Sequence, residues 1–522
     1  MRVLFAYLTN NPYGEEHLGT ASIASYLEKQ NYEVILKLVI YKPSEYNIER
    51  IVDDLPQADI IGFPIFTVNA RVIFELCKKI KEKFPQTLVT VGGPLATDAA
   101  REILEDCKDI DLVVLGDGEE TYCELAEAIE KGKDYSSMEH VLVQNDKDAS
   151  NKVPFITDIA NKPWVSRQYL EQVISRGFMT ARLTTARGCC SSCAFCSHNS
   201  YTRGTNKVWR GRDIEDVYEE IIYLYEKYGI QSFSINDGSF EDPGRVGKER
   251  VKKFCNLIIN SGLKFHFWSF LRAETFNEAD LQLVQAMRQA GFTTVFIGVE
   301  SQNIDDLTFY HKRATPQDNI RALELFKNCG INVIYGFILF NPRSDKISLK
   351  ENYKFLKSIE CWRPHVFVSR LDIYYKTQMH KQCRELGVLT SDFNYLNSTA
   401  YRFIDDEVNE IWKFIEENLL DSIIFSKYDA IIFNFNNYLY SLLAFMPNEI
   451  DVFLEQFNLI AKRISNCLVE YFYNLYDEKN LEKAKKDIPI FESNMEKYVR
   501  EVEDLKLKML RRNLIKQFEN RV

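Results

Sequence analysis

The sequence has no uninterrupted apolar run long enough to cross a bilayer, which takes about 20 residues. Its richest stretch, 423–445, is broken by Lys427, Asp429, Asn434, Asn436 and Asn437. Residues 1–8 are too short an apolar run for a signal peptide and read as a strand. Proline and glycine are scarce, 14 and 22 of 522 residues, and with 46% hydrophobic and 27% charged residues this excludes a disordered or low-complexity chain. Positive charge is also lacking. Lys and Arg number 65 against 75 Asp and Glu, a net charge of -10, whereas nucleic-acid binding needs a basic stripe. The expectation is a cytoplasmic protein with no membrane span and no nucleic-acid partner, acting on a small-molecule or peptide substrate. Its length exceeds one ordinary core and suggests roughly three units.

What is present begins with alternation. Residues 1–143 interleave short apolar runs at 3–8, 33–40, 60–66, 88–91 and 112–115 with helical patterns at 21–29, 70–83 and 121–129. That order predicts a doubly wound, Rossmann-like parallel sheet, whose ligands sit beyond the carboxyl ends of the strands. Glycines gather there: Gly14, Gly19, Gly62, Gly92-Gly93 and the turn Gly116-Asp117-Gly118-Glu119-Glu120. They either let backbone approach a ligand or simply make tight turns. A polar stretch at 144–152, followed by Pro154 and Pro163, marks a linker over 144–175.

Strand and helix patterns resume over 176–378, with strands expected at 181–185, 232–236, 265–270, 294–298, 332–340 and 366–371. Six such units predict a partial (β/α)6 barrel with its chemistry at the carboxyl ends of the strands. Residues 379–522 are helical and rich in Phe, Tyr, Leu and Ile, a separate unit that reads as its own packed core or as a lid.

Twelve cysteines in a reducing compartment predict thiols, not disulfides, and a tight group of them predicts a metal site. That group is Arg187-Gly188-Cys189-Cys190-Ser191-Ser192-Cys193-Ala194-Phe195-Cys196. Thiolates are the ligands iron–sulfur clusters require. The spacing C-x-x-x-C-x-x-C uses Cys189, Cys193 and Cys196; three ligands for four irons leave one iron open to a substrate. A register from Cys190 is the other choice. Zinc is the plainer alternative, and it wants a fourth ligand, for which His198 is near.

The pattern C-x-x-x-C-x-aromatic-C, with Phe195 before the last cysteine, resembles the radical S-adenosylmethionine (SAM) superfamily. The resemblance implies a [4Fe-4S] cluster whose open iron binds the amino and carboxylate groups of SAM. It also implies an external one-electron donor and cleavage of SAM to a 5′-deoxyadenosyl radical. Three further segments agree: Ile235-Asn236-Asp237-Gly238-Ser239-Phe240, Leu271-Arg272-Ala273-Glu274 and Gly298-Val299-Glu300-Ser301. By the resemblance Asp237 meets the SAM amino group, although Asn236 stands where an acid is usual, Arg272 lies near the SAM carboxylate, and Glu300 and Ser301 lie beside the ribose.

A doubly wound domain before such a barrel resembles the cobalamin-binding subclass, carried by Thr90-Val91-Gly92-Gly93-Pro94 and by the turn Gly116, Asp117, Gly118, Glu119. The resemblance implies cobalamin between the domains, its tail along these turns. Glu15-Glu16-His17-Leu18-Gly19 comes within one residue of the D-x-H-x-x-G cobalt-ligand motif, so His17 reads either as a cobalt ligand or as a helix-entry residue. The function expected is a radical SAM enzyme acting on an unactivated carbon, most simply a cobalamin-dependent C-methyltransferase in natural-product or peptide tailoring. The alternatives are cyclisation, rearrangement, epimerisation or transfer of another SAM fragment, with or without cobalamin, and a non-catalytic cobalamin or iron sensor. A tRNA-modifying or carbon–sulfur branch would bring a basic module that the charge does not supply.

Overall fold

The computed structural model describes the chain except residues 13, 147–150, 161, 199, 201, 203–204, 513 and 515–522. Part of the expected linker, 147–150 and 161, therefore lies outside the described residues. Six strands form the first sheet: β1 (Arg2–Thr9), β2 (Glu33–Ile40), β3 (Ile60–Pro64), β4 (Leu88–Gly92), β5 (Leu112–Val114) and β6 (Val141–Val143), in the order β2-β1-β3-β4-β5-β6. All neighbours are parallel except the β5–β6 edge. The sheet is covered on both faces, so β1 is buried almost end to end. Leu4, Ala6 and Leu8 enter one core and Val3, Phe5 and Tyr7 the other. β1 lies between β2 and β3, so the strand order reverses there, which opens a crevice at the carboxyl ends.

The short antiparallel β6 was not foreseen. Within the expected linker lies a helix, Gln168–Ile174, that closes the open edge of β2. Gln168 accepts from Leu36 N at 3.0 Å and donates to Val34 O at 3.0 Å, and Gln172 does the same with Leu38 N at 3.0 Å and Leu36 O at 2.8 Å. Side-chain amides thus satisfy a strand edge that would otherwise invite pairing.

The second sheet is parallel: β7 (Thr180–Leu183), β10 (Ser232–Ile235), β11 (His266–Arg272), β12 (Thr294–Glu300) and β13 (Asn332–Phe337), in the order β13-β12-β11-β10-β7. A separate hairpin pairs β8 (Ala186–Gly188) with β9 (Trp209–Gly211). The sixth strand expected at 366–371 is corrected: Pro364 opens a 3-10 turn, Pro364–Val368, and only the bridge Phe340↔Arg370 joins this segment to the sheet. Five strands and one bridge therefore make the partial barrel.

Four long helices, Asp406–Asn418, Asp429–Leu443, Pro447–Tyr476 and Leu481–Arg511, make up most of the carboxyl-terminal unit. Part of the unit packs where the strands begin, with Arg363, ahead of the 3-10 turn, bonding Asp429 at 2.9 and 2.6 Å, and part packs past the end of β13, where Trp412 and Tyr476 meet Phe340 with ring centroids 5.1 and 5.9 Å apart. Asp451 and Tyr440 flank Arg288, near the end of the helix that feeds β12. The aromatic side chains share one core with the barrel, and the start of the unit reaches the cysteine loop, where Met379 N donates to Ala194 O. Among the described residues no helix is long and apolar enough to cross a membrane.

Candidate functional site

The cysteine loop leaves the β8–β9 hairpin, not β7 directly. Asp237 causes the break between the two strands, because its carboxylate accepts Thr185 N at 2.7 Å and Ala186 N at 2.9 Å. Burial pushes this carboxyl up against those hydrogen bonds. Asp237, expected at the SAM amino group, is thus buried and engaged with backbone.

The loop is held from four sides. Cys189 N donates to Val208 O (3.1 Å), Cys190 N to Asp242 Oδ2 (2.7 Å) and Ala194 N to Tyr310 O (2.7 Å), while Met379 N donates to Ala194 O (2.8 Å). Phe195 packs edge-on against Tyr310 at 5.7 Å. Amides also reach the sulfurs: Ser191 N lies 3.4 Å from Cys189 Sγ, and His198 N 3.4 Å from Cys196 Sγ. Such contacts stabilise thiolates. This donor set fits a cluster better than zinc. Cysteine sulfurs that accept from backbone amides suit the soft ligation of an iron–sulfur cluster.

Arg272 lies beside the loop, but its guanidinium is fully engaged. It bonds Asp242, reaches Glu274 Oε1 at 3.0 Å and Ser239 Oγ at 3.3 Å, and lies 3.6 Å from Glu241. Through Asp242 it buttresses the cysteine loop. Ser301, also expected near SAM, is fully buried, and its hydroxyl lies 2.8 Å from Asp306. Glu300 does face the bore, at the bulge ending β12 with φ +67°. Gly298 leaves room under it: a Cβ there would lie 2.6 Å from the Glu300 carboxylate and 2.8 Å from Lys312 Nζ, so both side-chain ends would have to shift. The cation facing Glu300 is one the sequence reading missed. Lys312 Nζ lies 3.4 Å from Glu300 Oε1, with 3% of its side chain exposed. Burial works against its charge, yet Glu300 holds it protonated.

Between the two sheets lies a cavity of about 430 Å³, lined on one side by Phe63, His17, Gly92, Gly93, Gly116 and Gly118 and on the other by Thr184, Arg187, His198, Thr202, Arg210 and Asn236. All six residues expected at cobalamin border it, although their roles differ. Gly92 and Gly93 are open: a Cβ would meet nothing nearer than Val114 O or Ile65 O, both at 3.7 Å. Gly116, by contrast, is pressed by the protein itself, a Cβ lying 2.2 Å from Phe155 O, and Gly118 by Ile23 at 2.8 Å. Asp117 and Glu119 turn toward the barrel, where Arg187, Arg210 and Lys162 bond them.

Two polar atoms in the cavity wall, Asn236 Oδ1 and Thr202 Oγ1, are buried without a partner among the described residues. Buried polar groups are normally paired, so these fit a large ligand bearing amide groups. His17 caps the helix Leu18–Lys29 by accepting Thr20 N on Nδ1 at 3.1 Å. Burial, then Arg182 and Arg187, lower its pKa to about 3. Nδ1 is thus committed to the helix cap, in keeping with the helix-entry reading of His17. His198 lines the cavity, its ring against Gly238 and the Gly188 carbonyl, and not against the sulfurs.

The comparisons with known proteins decide the family. Residues 6–126 match the B12 binding domain and residues 183–356 match the Radical SAM superfamily. The chain belongs to the radical SAM superfamily, in its cobalamin-dependent branch. It is 29% identical over 350 residues to an uncharacterized methyltransferase of Pyrococcus horikoshii, covering 66% of this chain and 73% of that protein. It is 26% identical over 374 residues to the anaerobic magnesium-protoporphyrin IX monomethyl ester cyclase of Cereibacter sphaeroides, covering 68% of this chain and 59% of the relative. The fold matches the cobalamin-dependent SAM radical enzyme OxsB with a TM-score of 0.72 at 19% identity, over 99% of this chain and 81% of that one. The cofactors of this radical SAM enzyme are a [4Fe-4S] cluster, SAM and cobalamin, and its chemistry needs a substrate and a reductant.

Proposed function

We propose that this radical SAM enzyme is a cobalamin-dependent C-methyltransferase that modifies an unactivated carbon of a small molecule or peptide. In this reading Cys189, Cys193 and Cys196 hold the cluster, Glu300 and Lys312 receive SAM, and Gly92 and Gly93 give the cobalamin tail its place. The observation that carries it is the interdomain cavity, where open glycines face Asn236 and Thr202, both unpartnered among the described residues, next to the cysteine loop. When bound, the cluster supplies the electron that cleaves SAM and the cobalamin serves as methyl carrier. The chain's own residues do the rest. Lys312 presents a buried ammonium to the SAM carboxylate, a charge-assisted contact. Arg272 and Asp242 hold the loop still, and the segment around Met379 covers it from the side and limits access of water. The similarity to a methyltransferase of Pyrococcus horikoshii supports this reading.

A second reading, ring formation without methyl transfer, is favoured by the similarity to a cyclase. Anaerobic incubation with reductant and SAM separates the two. Methyl transfer consumes SAM in two ways, so both 5′-deoxyadenosine and S-adenosylhomocysteine should form, the second only in cobalamin-loaded protein. Formation of 5′-deoxyadenosine alone, with cobalamin bound, would overturn the methyltransferase reading.

A further inference from the structure

The hairpin that delivers the first cysteine has a charge problem. Arg187 and Arg210 are paired directly across β8 and β9, and like charges opposite each other in an antiparallel pair repel. The compensating carboxylates come from the other domain. Asp117 reaches Arg187 Nη1 at 3.2 Å with one oxygen and bonds Arg210 with the other. Glu119 Oε1 lies 2.6 Å from Arg187 Nη2 and 2.5 Å from Lys162 Nζ. Both acids are buried, and although burial opposes ionisation, Arg187 and Lys162 hold the Glu119 carboxyl well below the usual range. The acids are themselves anchored: Asp117 Oδ2 accepts Thr157 N at 2.9 Å, and Ser22 donates to Glu119 at 2.7 Å. Arg187 stands two residues before Cys189, whose amide bonds Val208 beside β9. Any change in hairpin register or tilt is therefore passed to the first cysteine.

We propose that Asp117 and Glu119 are positioning residues for the iron–sulfur cluster. The glycine turn on the cobalamin side of the cavity sets, through Arg187 and Arg210, where Cys189 stands. The two cofactor sites are then built on one shared ion cluster and are not independent. This rests on the reading of Cys189 as a cluster ligand. The stakes are geometric, since a misplacement of about 1 Å at a reacting centre can cost ~10²-fold in rate.

The test uses the full chain, reconstituted anaerobically with iron, sulfide and cobalamin. Glu119→Gln, Arg187→Gln and the double variant are compared by the electron paramagnetic resonance of the reduced cluster with and without SAM, by 5′-deoxyadenosine formation and by cobalamin content. Each single variant should shift the cluster signal and lower 5′-deoxyadenosine formation about tenfold or more while cobalamin is retained. The double variant should lose less than the sum of the two singles, because the Glu119–Arg187 bond is lost in all three. Asp117→Asn, which leaves Glu119 in place, gives the same readout should Glu119→Gln fail to fold. A wild-type cluster signal in the variants, with cobalamin alone lost, would overturn the proposal and return these acids to cobalamin. Additive losses in the double variant would overturn it too. If the wild-type protein assembles no cluster, the reading of the cysteines fails first, and the positioning role falls with it.

Discussion

Arg272→Met offers a direct test of what that arginine does. Guanidinium geometry suits a SAM carboxylate, and a simple ligand role would cost affinity and leave the iron untouched. The structure gives the opposite expectation. Arg272 is 8% exposed, and Glu241 and Asp242 beside it are fully buried, with Glu274 nearly so. Burial already pushes the Glu241 carboxyl up, and Arg272 is the first influence opposing that. Removing it leaves three acids crowded around one vacancy, and breaking a buried ion pair typically costs about 3–5 kcal/mol. For a domain of barrel size each kcal/mol shifts the melting temperature by about 2–4 °C, so a fall of roughly 6–20 °C is expected. Iron content should fall as well, because Asp242 is the acceptor that holds Cys190. Anaerobic thermal denaturation and iron analysis measure both. Arg272→Lys should recover part of the stability, since it restores the charge without the planar fork. A variant that melts like wild type and keeps its iron but binds SAM weakly would refute this reasoning.

Other outcomes follow from the same geometry. Gly92→Leu should fill the cavity without straining the protein and abolish cobalamin retention, read from the optical spectrum after gel filtration; Gly118→Val should instead lower stability, because it strikes Ile23. Lys312→Met should weaken SAM binding about tenfold or more, the usual worth of a charge-assisted hydrogen bond; unchanged affinity by equilibrium binding would remove Lys312 from the site. His17 has a folded pKa of about 3 against 6.5, so the unfolded chain binds more protons in between. Its contribution is complete above pH 6.5 and falls as pH drops, by about 2 kcal/mol at pH 5. His17→Asn keeps the helix cap and should remove that slope without changing the bound cobalamin spectrum. Parallel acid profiles for the two proteins would show that His17 is not buried as a neutral ring.

The parts of this molecule legible in the sequence are those whose signal is local. Cys189, Cys193 and Cys196 sit within eight residues, and the unbroken apolar run of β1 states in one segment that both faces of its sheet are covered. The Gly298–Glu300 motif could likewise be read from three positions. What was not legible depends on partners distant in the chain. Arg187 meets Glu119 across 68 positions and Arg210 meets Asp117 across 93, so the turn residues read as cobalamin contacts and gave no sign of their ties to the barrel. Lys312 stands in an ordinary polar turn, and only folding brings it to Glu300. Arg272 was read toward SAM by resemblance, while Glu241 and Asp242, the acids it meets, stand 31 and 30 positions away. The sixth strand was lost to a single residue, Pro364, within an otherwise apolar run.

The central claim is that one chain holds an open-iron cluster and a cobalamin across a shared cavity. Cofactor content after anaerobic reconstitution and gel filtration tests it most directly, measured for wild type, Cys189→Ala, Cys193→Ala, Cys196→Ala and Cys190→Ala. The account expects a full four-iron cluster with stoichiometric cobalamin in wild type and in Cys190→Ala, and loss of the intact cluster in the other three. A wild-type protein that keeps iron but no cobalamin, or equal loss of iron in Cys190→Ala, would contradict it.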